Sequence, residues 1–212
     1  LQGDSAGVKA NFYNLILKGI ELADLDLSGV SFEGAILTGA KFTGVNFSGC
    51  KFGDNDMDEI EAEGCNFDNI TGSFVSEDSK LTDCSFVEAH VSNLSRSRIV
   101  RCDFTKAQMW DARLPESKIE DSIFDRAEMT YANLANCEMR KTSLIGVEAK
   151  DADFSDSEMA GCNLSNSDVS GASFDDTDLS NAIFTGTRMH RTSLTGATLD
   201  GAKFAETKSR KI

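Results

Sequence analysis

The sequence predicts an all-β solenoid with very low helix content, built from a repeat of five residues. From Leu94 to Phe204 every fifth residue is apolar, over twenty-three positions in succession. A second apolar series, two residues out of phase with the first, runs from Phe12 to Phe67. A period of five matches neither an α-helix, at about 3.6 residues per turn, nor a β-strand, at about 2. Neither element can therefore extend far, and a short repeat that stacks on itself fits the pattern.

The other positions of the repeat are equally regular. Two residues before each apolar centre of the longer series stands Ala, Ser, Thr, Cys or Val, which predicts a second, small inward position. Thirteen of the fourteen Phe and all six Met are centres, and Phe74 is the exception. All six cysteines occupy the small position, so we expect buried thiols rather than disulfides or metal ligands: Cys50, Cys65, Cys84, Cys102, Cys137 and Cys162. The remaining positions carry turn-forming and charged residues.

Several repeats match a known consensus, A(D/N)Lxx. Ala132-Asn133-Leu134, Ala152-Asp153-Phe154 and Cys162-Asn163-Leu164 are examples. On these residues and their register, about nine-tenths of the chain resembles the pentapeptide-repeat family. The resemblance implies a right-handed quadrilateral β-helix with four repeats per coil. Residues twenty apart, such as Phe104 and Phe124, should then stack on one another.

The two series of centres do not join in one frame, and the break suggests the domain organisation. Leu81 follows Phe67 by fourteen residues, and Leu94 follows Val91 by three. We expect one elongated domain with a flexible N-terminus (1–9), a first β-helix block (10–67), an inserted loop or bulge (68–80), a second block (81–208) and a flexible tail (209–212). The insertion is either a binding feature or a tolerated irregularity without a role.

Acidic residues outnumber basic ones by 35 to 21, which gives a net charge of −14. This balance argues against direct nucleic-acid binding, because phosphate contacts need Lys and Arg. An acidic rod could instead imitate duplex DNA, or the charge could simply favour solubility. No apolar stretch is long enough to span a membrane. The chain starts at Leu1 without a signal-peptide pattern, which suits either a cytoplasmic protein or one whose leader was removed.

The sequence offers no catalytic constellation, cofactor site or metal site. His90 and His190 are far apart in the predicted stack, and no glycine-rich phosphate loop is present. A tube filled by its own Phe and Leu side chains has no cleft that could shield a reaction from water. We therefore expect a protein without enzymatic activity or cofactor.

Two functional hypotheses remain, and both have another protein as the partner. The first is a rigid protein–protein interaction scaffold that presents flat acidic β faces and a projecting loop. The second is a DNA mimic that binds and protects DNA gyrase or a related topoisomerase, since the chain is similar to the quinolone-resistance branch of the family in its broken frame and acidic surface. The candidate partner-binding residues are Phe74, Val75, Glu77, Asp78, Asp54, Asp56, Asp58, Glu59, Glu61 and Glu63. Phe74 is the predicted apolar anchor of the loop.

Overall fold

A computed structural model describes residues 10–207, which form a β-helix. The flexible ends predicted at 1–9 and 209–212 lie outside the described residues. Over the described range, no helix is long and apolar enough to cross a lipid bilayer.

Within the described part of the chain, nine short strands stack in parallel. They are β1 (Glu21–Ala23), β2 (Lys41–Thr43), β3 (Glu61–Glu63), β4 (Phe74–Val75), β5 (Lys80–Thr82), β6 (Val91–Asn93), β7 (Arg98–Val100), β8 (Lys118–Glu120) and β9 (Glu138–Arg140). Seven of them form one sheet in the order β1-β2-β3-β5-β7-β8-β9, and β4 pairs with β6. Each strand is short because the chain turns a corner within every repeat.

The rod has four faces, which we number by the residues that point inward in one coil: Phe32 on face 1, Leu37 on face 2, Phe42 on face 3 and Phe47 on face 4. Face 3 carries the seven-stranded sheet, and the other faces are held largely by single parallel bridges such as Asn46 to Asn66. At most corners one residue has a left-handed backbone, often Gly, Asn or Asp. These residues tolerate that conformation best, which explains the polar corners of the repeat.

The core confirms the predicted register. Phe104 and Phe124 stack with ring centroids 4.7 Å apart and planes 7° from parallel. On face 3, Ile99 pairs with Ile119, which in turn pairs with Met139. All six cysteine side chains are buried at the small inward position. Like side chains therefore pack on like along the rod, as close packing favours.

The length of a coil changes in the middle of the rod. Lys41 pairs with Glu61, twenty residues on, but Glu61 pairs with Lys80, nineteen on. Lys80 pairs with Arg98, only eighteen on, and Arg98 then pairs with Lys118 at the regular interval of twenty. We call the two coils between Glu61 and Arg98 the shortened coils. The change of frame is thus a net loss of three residues and not an insertion.

The residues are lost at the corner between faces 1 and 2. In the first shortened coil Phe74 and Ser76 both point inward, and in the second Val91 and Leu94 do so. Among the described residues of these two passages, Phe74–Ser76 and Val91–Leu94, none has the left-handed backbone found at this corner in the other coils. The chain therefore cuts across the corner, and this edge of the rod is recessed over two coils.

The structure corrects the expectation of a projecting loop at 68–80. This segment contains β4 and the start of β5, and its register shifts between Phe74, which pairs with Val91, and Val75, which pairs with Asn93. Thr71 still pairs with Lys51, but Phe74 pairs with Val91. The segment is part of the wall because its backbone continues the ladder on both sides.

In the first shortened coil, Ser76 takes an inward position that a large side chain fills in other coils. It is fully buried at a face 2 position that Met57 and Leu94 occupy in the adjacent coils. Its hydroxyl donates to the carbonyl oxygen of Met57 at 2.6 Å and lies 2.7 Å from Ser79 Oγ. A serine therefore stands where the adjacent coils carry a large side chain, and hydrogen bonds satisfy its buried hydroxyl.

Candidate interaction surface

The aromatic side chains divide sharply between the inside and the outside of the rod. The Phe rings fill the interior, whereas Trp110, Tyr13 and Tyr131 are exposed by 61%, 57% and 60%. All three lie at the corner between faces 1 and 2, one or two residues after a face 1 centre. Sequence reasoning missed them, although the signal was present: they are the only Trp and the only two Tyr in the chain, and none is a centre.

Trp110 stands beside the recess at this corner. His90 pairs with Gln108, which places Ser92 next to Trp110 in the following coil. Ser73, Val75, Ser92 and Asn93 line the floor of the recess and are half-buried. The hydroxyls of Ser73 and Ser92 hydrogen-bond to each other across the two shortened coils. We call this surface, with Trp110 and Tyr131 on one side, the recessed edge.

On the opposite side of the recess, Gly72 and Asn55 make close contacts with the backbone of neighbouring coils. The backbone of Gly72 has φ +78 and approaches the preceding coil so closely that a Cβ there would overlap the carbonyl oxygen of Phe52. In that preceding coil the Asn55 amide donates to the carbonyl oxygens of Phe32 and, at 3.2 Å, Ala35. Its Oδ1 accepts the Gly53 N–H at 2.6 Å. These contacts fix the shape of the recess without a flexible segment.

Phe74 is not an exposed anchor. Its side chain is fully buried and packs edge-to-face against Phe67 and Phe86, with ring centroids 5.1 Å and 5.0 Å away. The burial follows from the cut corner, which makes Phe74 the inward residue of face 1 in its coil. Only its neighbour Val75 reaches the floor of the recess.

Glu77 and Asp78 lie at the next corner, between faces 2 and 3, where both bind Arg96 of the following coil. Arg96 Nη2 contacts Glu77 Oε2 at 2.5 Å and Asp78 Oδ2 at 2.8 Å. Glu77 also accepts from Asn93 Nδ2 at 2.7 Å. Hydrogen bonding to Arg96 lowers the pKa of both carboxyls. These two candidate binding residues therefore belong to an inter-coil ion-pair network.

The acidic run in β3 and just before it does not form one patch. Asp54 lies at the corner of faces 1 and 2, Asp56 on face 2, Asp58 and Glu59 at the following corner, and Glu61 and Glu63 on face 3. Asp58 accepts the backbone N–H of Glu77 at 2.9 Å. Residues adjacent in sequence thus wrap halfway around a single coil, and only Asp54 and Asp56 border the recessed edge.

Face 3 is not uniformly acidic, because charges of opposite sign alternate along it. Glu61 lies between Lys80, at 2.7 Å, and Lys41, at 3.4 Å. Its pKa is lowered, first by the hydrogen bond to Lys80 and then by Lys41. Farther along, Lys118 binds Glu138 at 2.7 Å. This ladder joins successive coils, and each exposed pair adds only modest stability.

Residues 10–207 contain no cluster of three or more His, Cys, Asp or Glu side chains arranged to hold a metal ion. A shallow hollow also lies on face 3, between the stacked charged side chains of Lys41, Glu61 and Lys80.

Comparison with solved structures finds several proteins with distant similarity to this chain. Against solved structures, HetL, a pentapeptide repeat protein involved in heterocyst differentiation regulation from the cyanobacterium Nostoc sp. strain PCC 7120, is 21% identical over 96% of this chain and 90% of its own, with a TM-score of 0.39. QnrB1, a plasmid-mediated fluoroquinolone resistance protein, is 18% identical over 91% of this chain and 92% of its own, with a TM-score of 0.48. Rfr23 from the cyanobacterium Cyanothece 51142 is 13% identical over 95% of this chain and 88% of its own, with a TM-score of 0.18. These likenesses carry no argument about function. No curated protein matches the chain by sequence.

The family model for pentapeptide repeats matches the chain in eight copies, over residues 8–44, 16–54, 122–161, 157–196 and 172–208. The unmatched stretch, 55–121, contains both shortened coils, where the repeat departs from five residues. The matches cover more than half of the sequence and lie within regular coils. The chain belongs to the pentapeptide-repeat family.

Proposed function

We propose that this protein is a rigid, non-enzymatic interaction scaffold that binds another protein through the recessed edge, with Trp110 and Tyr131 as the anchors. The observation that carries the proposal is the position of the aromatic residues. Every Trp and Tyr is exposed on the one edge that is indented, while the Phe rings are inside.

Exposed Trp and Tyr side chains are the usual centres of protein–protein binding energy. They supply large contact areas with few rotatable bonds, and they contribute most where surrounding groups exclude water. Trp110 and Tyr131 lie in adjacent coils at one corner, and Trp110 stands beside the polar residues Ser92 and Asn93 of the preceding coil. An apolar anchor next to a polar indentation is the arrangement that specific interfaces use.

Backbone hydrogen bonds hold the recessed edge in a fixed shape before a partner binds. Around the recess Phe74 donates to the His90 carbonyl at 2.9 Å, and Ser76 donates to that of Asn93 at 2.9 Å. A surface fixed in this way loses little conformational entropy when a partner docks. The tube is filled by its own side chains, which favours a binding surface over an enclosed catalytic site.

The alternative role as a DNA mimic receives less support from the charge distribution. A duplex presents about one negative charge per 1.7 Å of its axis. On face 3, by contrast, Lys41, Lys80 and Lys118 interrupt the acidic residues. We therefore place the binding surface at the recessed edge and not on a uniformly acidic face.

The experiment is affinity capture from cells that naturally contain the protein. Wild type, the double variant Trp110→Ala/Tyr131→Ala, and a control Ile123→Ala would be compared. Ile123 is also exposed, by 40%, but on face 4. We expect the partner to be retained by wild type and the control and to be lost from the double variant, with equal melting temperatures for all three proteins.

Intrinsic fluorescence gives an independent readout, because the chain has a single Trp. Addition of the captured partner should shift Trp110 emission to shorter wavelength and protect it from a soluble quencher. A partner that binds the double variant as tightly as wild type, or leaves Trp110 fully quenchable, would rule out this surface.

A further inference from the structure

Three of the six cysteines form a column inside the shortened coils. Asn66 bridges to Ser85, and Ser85 bridges to Asp103. Cys65, Cys84 and Cys102 stand immediately before these residues and therefore stack one above another in consecutive coils. They are 2%, 2% and 1% exposed.

The other three cysteines have different neighbours in their columns. Cys50 stacks between Val30 and Ile70, Cys137 between Ser117 and Ser157, and Cys162 between Thr142 and Ala182, as the bridges of the residues that follow them show. Stacked thiols thus occur in one place only among the described residues.

The spacing of the column suits a covalent link. Residues one coil apart in a parallel ladder have Cα atoms about 4.8 Å apart. That separation falls within the range of about 4.4–6.8 Å seen in disulfides. Asp83 immediately precedes Cys84, and Arg101 immediately precedes Cys102. Arg101 donates two hydrogen bonds to the Asp83 carboxylate, at 2.7 Å and 2.6 Å. This ion pair holds the two cysteine-bearing coils together at the relevant level.

The two thiols differ in acidity. Hydrogen bonding from Cys84 lowers the pKa of Cys102, whereas hydrogen bonding to Cys102 raises the pKa of Cys84 to about 12. Cys102 is therefore the thiol that ionises first, and the thiolate is the reactive form in disulfide exchange.

We propose that Cys84 and Cys102 are an oxidisable dithiol pair that forms an inter-coil disulfide with a small disulfide oxidant such as oxidised glutathione. Because both thiols are buried in the closed rod, the exchange takes place when the shortened coils open locally. The Cys102 thiolate attacks one sulfur of the oxidant, forms a mixed disulfide and releases one thiol. Cys84 then loses its proton and attacks the Cys102 sulfur, which releases the second thiol. One oxidant disulfide is reduced to two thiols, and the protein loses two hydrogens.

The link would close a loop within the shorter of the two shortened coils. It would tie β5 to β7 close to the level at which Lys80 pairs with Arg98. Because a disulfide restricts the unfolded chain, the oxidised protein should melt at a higher temperature than the reduced protein. The disulfide would thus stabilise the shortened coils under oxidising conditions. This role does not depend on partner binding at the recessed edge.

The test exposes the full-length reduced protein, under native conditions, to buffers of increasing oxidised-to-reduced glutathione ratio. Intact mass and peptide mapping follow after the remaining thiols are alkylated. We expect a loss of two hydrogens, a Cys84–Cys102 disulfide, and a melting temperature raised by several degrees. Cys65→Ser and Cys50→Ser should behave like wild type, whereas Cys84→Ser should form no internal disulfide and should stop at the mixed disulfide of Cys102 with glutathione. Serine fills the same column at Ser122, so these variants are expected to fold; Cys102→Ala is a second variant that should form no internal disulfide, and it should stay reduced.

Three results would overturn the proposal. The first is a native protein that stays reduced in a buffer that oxidises the urea-unfolded chain. The second is a disulfide that maps to another pair, and the third is an internal disulfide that persists in both Cys84→Ser and Cys102→Ala.

Discussion

The coils after Met109 and the shortened coils before it solve the same packing problem with different residues. In the later coils bridged residues are always twenty apart, as in Gln108, Glu128 and Glu148, and each corner keeps its turn. In the shortened coils the corner of faces 1 and 2 is cut, and a glycine, a serine and an out-of-register Phe replace the consensus residues. The repeat therefore dictates side-chain type only where the backbone keeps its full path.

The largest expected effect is at Gly72, where the shortened coils demand a residue that the regular coils do not. Gly72→Ala places a Cβ on the Phe52 carbonyl oxygen, so the backbone of two coils must move apart. We expect a loss of more than about 4 kcal/mol in the free energy of unfolding, measured by urea denaturation.

Gly161→Ala is the matched control in a regular coil. Gly161 has φ +74 and open space where a Cβ would lie, so only the left-handed backbone penalty of about 1–2 kcal/mol applies. Equal losses for the two variants would show that Gly72 is not held against the preceding coil.

Truncating a core Phe should cost the same in both regions. Phe74→Ala and Phe124→Ala each remove a fully buried ring, and each should lower the free energy of unfolding by about 3–5 kcal/mol. Trp110→Ala, at an exposed site, should change it by no more than about 0.5 kcal/mol. If Phe74→Ala is as mild as Trp110→Ala, then Phe74 is outside the core, as its place in the sequence suggested.

A consensus substitution should be harmful in the shortened coils. Ser76→Leu restores the residue type that Leu94 has in the next coil, but it adds volume at a fully buried position and removes the hydrogen bond to Met57. We expect a loss of about 1–3 kcal/mol by thermal or urea unfolding. Leu114→Met, a volume-conserving change on the same face, should cost less than about 1.5 kcal/mol. A stabilising Ser76→Leu would mean that the core has room for a leucine at this position.

The smallest expected effect is the acid sensitivity of the Glu77–Asp78–Arg96 network. The pKa values of both carboxyls are lowered in the folded state, chiefly by Arg96, so their contribution is present above the ordinary carboxyl range. It is lost as the pH falls below about 4 and the carboxylates take up protons. Arg96→Ala should therefore flatten the melting temperature against pH between about pH 5 and 3 relative to wild type. Identical profiles would mean that these exposed pairs add nothing measurable.

The sequence was enough to predict the solenoid, its register and the buried positions in the regular coils, because each centre such as Phe124 recurs at a fixed interval. It could not distinguish an insertion from a deletion. A shift of the frame by plus two residues is identical, in a period of five, to a shift by minus three. The fourteen residues from Phe67 to Leu81 are one fewer than three repeats, and the three from Val91 to Leu94 are two fewer than one repeat. The same numbers also suit an extra loop, whereas the chain takes a shorter path.

The candidate site was predicted only in part. Asp54, Asp56 and Val75 do border or line the recessed edge, but Phe74 does not reach it. Trp110 was not predicted because the periodic pattern marks the inward positions, and an exposed aromatic residue has meaning only once the corner beside it is known to be recessed. That recess depends on long-range pairing, such as Phe74 with Val91, which no local pattern encodes.

The cut corner also has a genetic consequence. A rod of this kind is commonly pictured as growing or shrinking by whole coils, since any other change would throw every later side chain out of register. Here the net loss of three residues leaves the later register intact, because the missing residues came from a corner and the strands beyond it still pair in parallel. Small in-frame deletions at a corner can therefore reshape one edge of the rod while the rest of the molecule keeps its structure, and variation at such corners is a route by which one scaffold could acquire different partners.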